Sequence, residues 1–202
     1  MFRVLTTSFL SNVSLAKPHA MIIHRKTFLF LLLIFTAFNI HCQNASQKMS
    51  KEIKTGDQVP HFTLKNQRGE DFSTERLLGK KNMVIYFYPK DETKVCTIEA
   101  CSFRDNYEVF QELDCEVIGI SNDGEKSHRS FAANHSLPFI LLSDEKNRVR
   151  KLFGVPKDFL GLMPGRYTYV VNKAGEVIFV FNSALNGQKH VEEALRVLKN
   201  KG

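Results

Sequence analysis

The residues from Asn82 to Tyr88, NMVIYFY, form an unbroken apolar run rich in β-branched and aromatic side chains, and Pro89 ends it. A run of that length and make-up suits a strand covered on both faces, which commits the chain to a sheet with a layer above and a layer below. The next stretch constrains the chemistry. It reads KDETKVCTIEACSFRD, where the pattern opens a helix with Cys96 in its first turn, Thr93 three residues before and Cys101 five after. A thiol at a helix N-terminus faces unpaired backbone N–H groups and the positive end of the helix dipole. Both favour the thiolate, which is the reactive form, so Cys96 is the candidate nucleophile.

The remaining elements follow from periodicity and punctuation. His61–Leu64 alternates like a short strand, and Arg68-Gly69-Glu70 turns it toward a second one near Phe72. Ile98, Cys101, Phe103, Tyr107 and Phe110 recur near helical spacing, predicting one helix over Thr97–Leu113. Strands are expected at Cys115–Ser121, Leu137–Leu142, Tyr167–Asn172 and Glu176–Asn182, the last two joined by a turn at Lys173-Ala174-Gly175. Helices are expected at Glu125–Asn134, Asn147–Phe153 and Lys189–Lys199, and a loop marked by Gly and Pro at Gly161–Gly165. Strands alternating with helices, then a hairpin and a closing helix, predict an α/β fold, a mixed central sheet flanked by helices. The strand–Cys–helix opening and the late hairpin make that fold thioredoxin-like.

Charge is distributed unevenly along the 202 residues. The net charge is +7, but residues 1–50 hold five Lys or Arg and no acid, leaving 23 basic against 21 acidic residues beyond them. The basic balance belongs to the leader, so it gives no support to a nucleic-acid partner. Arg25 and Lys26 precede the apolar run Phe28–Phe38, and a polar stretch begins near Asn39. That is the layout of a signal peptide near 21–42, with a run too short for an ordinary membrane span. Export to a periplasm-like compartment is the first reading, and organelle import or a retained membrane tether the alternatives. Cys42 follows the run, but Asn39-Ile40-His41 departs from the small residues that precede a lipidated cysteine. The chain is therefore divided at 1–50, a targeting segment and tether, and 51–202, the globular domain.

Pro89-x-x-x-Thr93-x-x-Cys96 resembles the signature of the peroxiredoxins, and CTIEACSFRD, with its second cysteine at plus five, resembles the bacterioferritin-comigratory or peroxiredoxin Q subfamily. The likeness continues through SNDGEKSHRSFAANHSLPFILLSDE, Leu152-Phe153-Gly154-Val155 and Arg166-Tyr167-Thr168-Tyr169-Val170, roughly residues 54–200. The resemblance implies a thiol-dependent peroxidase acting on hydrogen peroxide and alkyl hydroperoxides. Cys96 is then the peroxidatic cysteine, oxidised to a sulfenic acid, and Cys101 resolves it into an intramolecular Cys96–Cys101 disulfide. Thr93 offers its hydroxyl to thiolate and peroxide, Pro89 shields the pocket, Arg166 stabilises the developing charge, and Glu99 orients Arg166. The resemblance further implies recycling by thioredoxin or a thioredoxin-like reductant, a monomer, and no cofactor, metal or nucleic acid. Lys94-Val95 departs from it, standing where the family commonly has Pro-Gly.

The spacing of the two cysteines carries a mechanical consequence. On an ideal helix, residues five apart have Cα atoms about 8–9 Å apart, whereas a disulfide needs less than roughly 7 Å. The first turns of the helix must unwind in each cycle. Other readings expect other patterns. An exported thiol–disulfide oxidoreductase expects two residues between its cysteines, and a copper-binding module on this fold three; here there are four. Cys115 opens an apolar strand and reads as core, and His128 and His135 read as structural rather than as metal ligands.

Overall fold

The computed structural model describes residues 52–158, 161 and 163–201. The expectations for the leader and Cys42 lie outside them. Nine strands run in chain order: β1 (Thr63–Asn66), β2 (Asp71–Ser73), β3 (Asn82–Phe87), β4 (Cys115–Ser121), β5 (Ile140–Ser143), β6 (Lys157–Asp158), β7 (Met163–Pro164), β8 (Tyr167–Val171) and β9 (Val177–Asn182). The α-helices are α1 (Lys94–Asp105), α2 (Tyr107–Glu112), α3 (Glu125–Asn134), α4 (Arg148–Leu152) and α5 (Gly187–Lys201). Seven strands form one sheet in the order β2-β1-β5-β4-β3-β8-β9. The central β5-β4-β3 pairs are parallel, and β8, β9, β1 and β2 add antiparallel edges, so the sheet is mixed.

β3 divides the core. Val84 and Tyr86 point to one side with Phe103, Phe110, Phe131 and Phe139. Met83, Ile85 and Phe87 point to the other with Phe62, Ile118, Phe153 and Tyr169. Period-two alternation within a strand that is apolar from Met83 to Phe87 is what a sheet covered on both faces requires. Full burial of each such side chain is worth about 1.5–3 kcal/mol.

Several expectations shift, among them the strand expected at Leu137–Leu142, which is Ile140–Ser143. The helix predicted over Thr97–Leu113 starts three residues earlier and is two helices, because Asn106 leaves helical geometry (φ −110°, ψ 9°) and turns its amide back to the Ser102 carbonyl at 2.9 Å. The first strand lies two residues beyond His61–Leu64, since Lys65 and Asn66 pair with β5 while Phe62 N–H is taken by the Thr74 hydroxyl. The predicted loop at 161–165 contains β7, paired with β6 as a two-residue ribbon. No helix among the described residues is long and apolar enough to cross a membrane.

Candidate active site

The register of β3 against β8 assembles the site. Phe87 pairs with Tyr167, so the residues just past the end of β3 and the residue just before β8 meet at one end of the sheet. These are Pro89, which opens the loop to α1, and Arg166. Arg150, from α4, ties the two chain ends together: Nη1 donates to the Gly165 carbonyl at 2.8 Å and Nη2 to the Tyr88 carbonyl at 3.1 Å. Gly165 is required there, because a Cβ would lie 2.3 Å from the Pro156 carbonyl oxygen.

Cys96 occupies the first turn of α1 and is only 1% exposed. Arg166, 2% exposed, donates from Nη2 to Cys96 Sγ at 3.2 Å and from Nη1 to Glu99 Oε2. Its Nε points at the Ala184 carbonyl, 3.4 Å away. One planar fork thus faces two acidic groups one helical turn apart, a geometry a lysine cannot reproduce. Burial pulls the guanidinium down, but Glu99 and Cys96 together raise its pKa above the usual value. Glu99 is fully buried, and burial, opposed by Arg166, pushes its carboxyl up to about 7.

Thr93 precedes α1 in extended geometry, but its side chain does not cap the helix. The hydroxyl donates instead to the Lys90 carbonyl at 3.0 Å. Thr93, Pro89, Lys94, Val95 and Arg166 line a cavity of about 500 Å³ whose outer wall is Met163, Pro164 and Leu185. Leu185 is 73% exposed. Neither Lys90 nor Lys94 forms an ion pair among the described residues. Cys101 lies five residues along the intact α1 and is half-buried, and Cys96, Cys101 and Cys115 are all free thiols. Cys115 sits in the core, where burial pushes its thiol well above the ordinary range.

The structure therefore brings Pro89, Thr93, Cys96, Glu99 and Arg166 together and leaves Cys101 one turn and a half along the same helix. Sequence reasoning passed over three groups. Arg150 bridges the two loops from behind. Asp91, buried in the loop itself, accepts from Tyr88 Oη (2.8 Å), Ser127 Oγ (2.7 Å) and His128 Nδ1 (2.9 Å), anchoring the loop to α3. Burial pushes the Asp91 carboxyl up, but these bonds outweigh it and hold it below its usual value. The third group, His190 of α5, lies beside Glu99. None of the three carries a local sequence signal: Asp91 stands in the charged stretch Lys90–Lys94, Arg150 among other basic residues, and His190 in the polar start of its helix.

Comparison with known proteins gives the family and the fold. The profile of the AhpC/TSA family matches residues 55–180. The chain belongs to that family. This peroxiredoxin is 48% identical over 149 residues to the chloroplastic peroxiredoxin Q of Sedum lineare, covering 74% of this chain and 80% of the relative. It is 49% identical over 148 residues to that of Arabidopsis thaliana, covering 73% and 68%. The crystal structure of peroxidoxin BcpB from Mycobacterium tuberculosis superposes on 75% of this peroxiredoxin and 99% of that chain, with TM-score 0.69 and 34% identity. A Xanthomonas campestris bacterioferritin comigratory protein, whose structure addresses alkyl peroxide reduction, superposes with TM-score 0.64 and 26% identity over 75% of this chain and 98% of its own. These neighbours have the thioredoxin-like peroxiredoxin fold, so the α/β expectation holds.

Proposed function

We propose that this peroxiredoxin is a two-cysteine thiol peroxidase in which Cys96 attacks and Cys101 resolves. The observation that carries the reading is the Arg166 Nη2 contact to Cys96 Sγ, 3.2 Å long, at the start of α1. The Cys96 thiolate attacks one peroxide oxygen and the O–O bond breaks. Sulfur becomes the sulfenic acid, and the other oxygen leaves as water or an alcohol after taking a proton. Arg166 and the first-turn N–H groups face the charge that develops on the oxygens. The Thr93 hydroxyl, on the wall of the pocket, accepts or donates to the incoming peroxide, and Pro89 keeps bulk water from the sulfur. The Cys101 thiol then attacks the sulfenic acid, releasing water and leaving the Cys96–Cys101 disulfide. A thioredoxin-type dithiol reduces it and is itself oxidised.

The pocket supports organic as well as inorganic peroxide, since about 500 Å³ walled by Pro89, Val95, Met163, Pro164 and Leu185 accommodates an alkyl tail. The protein is expected to work as a monomer without metal or cofactor. Residues 1–50 are read as a targeting segment and tether ahead of the 51–202 domain. Export by a signal peptide near 21–42 remains the first reading. The chloroplastic relatives weigh on the side of organelle import. Fractionation of the full chain with N-terminal sequencing of the mature protein separates the two.

The direct test is peroxide consumption with a thioredoxin system. Cys96→Ser should abolish turnover, and activity surviving it would sink the reading. Cys101→Ser should permit one oxidation per molecule and block thioredoxin-linked turnover; unchanged turnover would remove Cys101 from the cycle.

A further inference from the structure

Two buried groups beside the nucleophile have no part in the cycle above. Glu99 is 0% exposed, and its Oε1 has no hydrogen-bond partner among the described residues. Facing it is His190 Nδ1, 3.6 Å away and also fully buried. The tautomer of His190 follows from its neighbours. Nε2 lies 3.0 Å from the Ser183 carbonyl, which can only accept, so Nε2 carries the proton and Nδ1 is an acceptor. The Thr168 hydroxyl, 2.8 Å from Nδ1, supplies a donor. An unpaired carboxylate oxygen and an imidazole lone pair therefore face each other inside the protein, an arrangement that is costly unless a proton lies between them.

Charge leads to the same place. The groups around the pair are Cys96 on α1, Arg166 before β8, Thr168 on β8, the Phe181 ring of β9 edge-on to His190 at 4.8 Å, and Tyr86 of β3. Tyr86 stays neutral, its phenol driven far up by burial, with Glu99 adding to the effect. Gly187 at the start of α5 presses directly on Glu99, where a Cβ would lie 2.8 Å from the Glu99 Cβ. Among the described residues of this shell Arg166 is the only permanent cation, and a Cys96 thiolate together with a Glu99 carboxylate would leave one buried negative charge uncompensated.

We infer that Cys96 and Glu99 use the Arg166 charge alternately: when Cys96 is a thiolate, Glu99 is the neutral acid, its proton on Oε1 directed at His190 Nδ1. The inference rests on Cys96 as nucleophile. The proton lost at Cys96 is matched by one taken up at Glu99 through solvent, so ionising the thiol leaves the net charge of the pocket unchanged. Nδ1 has one lone pair, so the Thr168 hydroxyl rotates away as it accepts from Glu99. Burial, which holds Glu99 at about 7 and drops His190 to about 4, keeps the proton on the carboxyl rather than the imidazole. Glu99 and His190 are thus positioning residues for a proton, acting on the sulfur through Arg166.

The test is the ultraviolet thiolate absorbance of the reduced protein across pH, isolated by subtracting Cys96→Ser. Glu99→Gln removes the competing anion at constant shape, so the Cys96 titration midpoint should move about one pH unit lower. If Glu99 only orients Arg166, the same substitution loosens the guanidinium and the midpoint rises or stays, which overturns the inference. His190→Leu removes the acceptor and should raise the midpoint, but should change nothing in a Glu99→Gln background. Infrared difference spectra of the wild type, oxidised minus reduced near pH 6.5, provide a readout that needs no folded variant. A protonated-carboxyl C=O band present in the reduced protein and lost on oxidation is expected, and its absence from the reduced form overturns the proposal. None of these readouts uses turnover, so failure of the peroxidase reading would show separately, as missing peroxide consumption.

Discussion

Arg166 is the residue on which most of the site depends, because a single planar group meets Cys96 Sγ and Glu99 Oε2 at once. Arg166→Lys keeps the charge but offers a point rather than a fork, so it cannot serve both partners. We expect the second-order rate with hydrogen peroxide to fall about 10²–10³-fold, the scale for losing one donor to developing oxyanion charge; stopped-flow kinetics at fixed pH measures it. Lys94 is the opposite case. It is exposed at the first position of α1, where a cation opposes the helix dipole. Lys94→Gln should stabilise the protein by about 0.3–1 kcal/mol in urea titrations at low salt, an effect that fades as salt is added. Arg166 was legible in the sequence only through its likeness to a family, since a lone Arg before a strand carries no local mark. Cys96 was legible from physics alone, because an apolar strand, a proline and a helix start define where its thiol must sit.

At the scale of elements, α1 holds both cysteines in an unbroken helix, and Cys101 is not bonded to Cys96. On the proposed cycle, closing a Cys96–Cys101 disulfide must open the helix's first turns, which predicts faster amide hydrogen exchange over residues 96–101 in the oxidised protein, reversed on reduction. Equal protection in both states would contradict that. The packing of α5 on α1 is equally specific. Gly187→Ala would drive a methyl to 2.9 Å from the Val95 carbonyl and against Glu99. Such overpacking costs about 1–3 kcal/mol, read as a lower urea midpoint. The long strands and the helices with clear ends were readable from pattern, because burial on one or two faces imposes a period. The break at Asn106 and the β6–β7 ribbon were not, because the first rests on one side-chain hydrogen bond and the second has only two residues a side, too few to show a repeat. The Asp91–His128 anchor escaped because 37 residues separate its partners.

The whole molecule carries the same pair of groups as a stability term. The folded pKa of Glu99 is raised to about 7 by burial, so its contribution is complete below the unfolded value of 4.5 and is lost as pH rises through 7. The folded pKa of His190 is lowered to about 4 by burial, so its contribution is complete above 6.5 and is lost as pH falls through 4. Between 4.5 and 6.5 the two oppose each other, and the wild-type Tm should change little on their account. Glu99→Gln leaves only the histidine, so its Tm should fall more steeply than wild type from pH 6.5 to 4, which parallel calorimetric scans will show.

The burial of Cys96 within a helix whose first turns must unwind also has a temporal side. On the proposed cycle, a newly formed sulfenic acid waits in the first turn of α1 until the helix opens, and during that wait a second peroxide can carry it to the sulfinic acid. The opening rate of one helical turn therefore acts as a timer, and it fixes the peroxide concentration above which the enzyme disables itself.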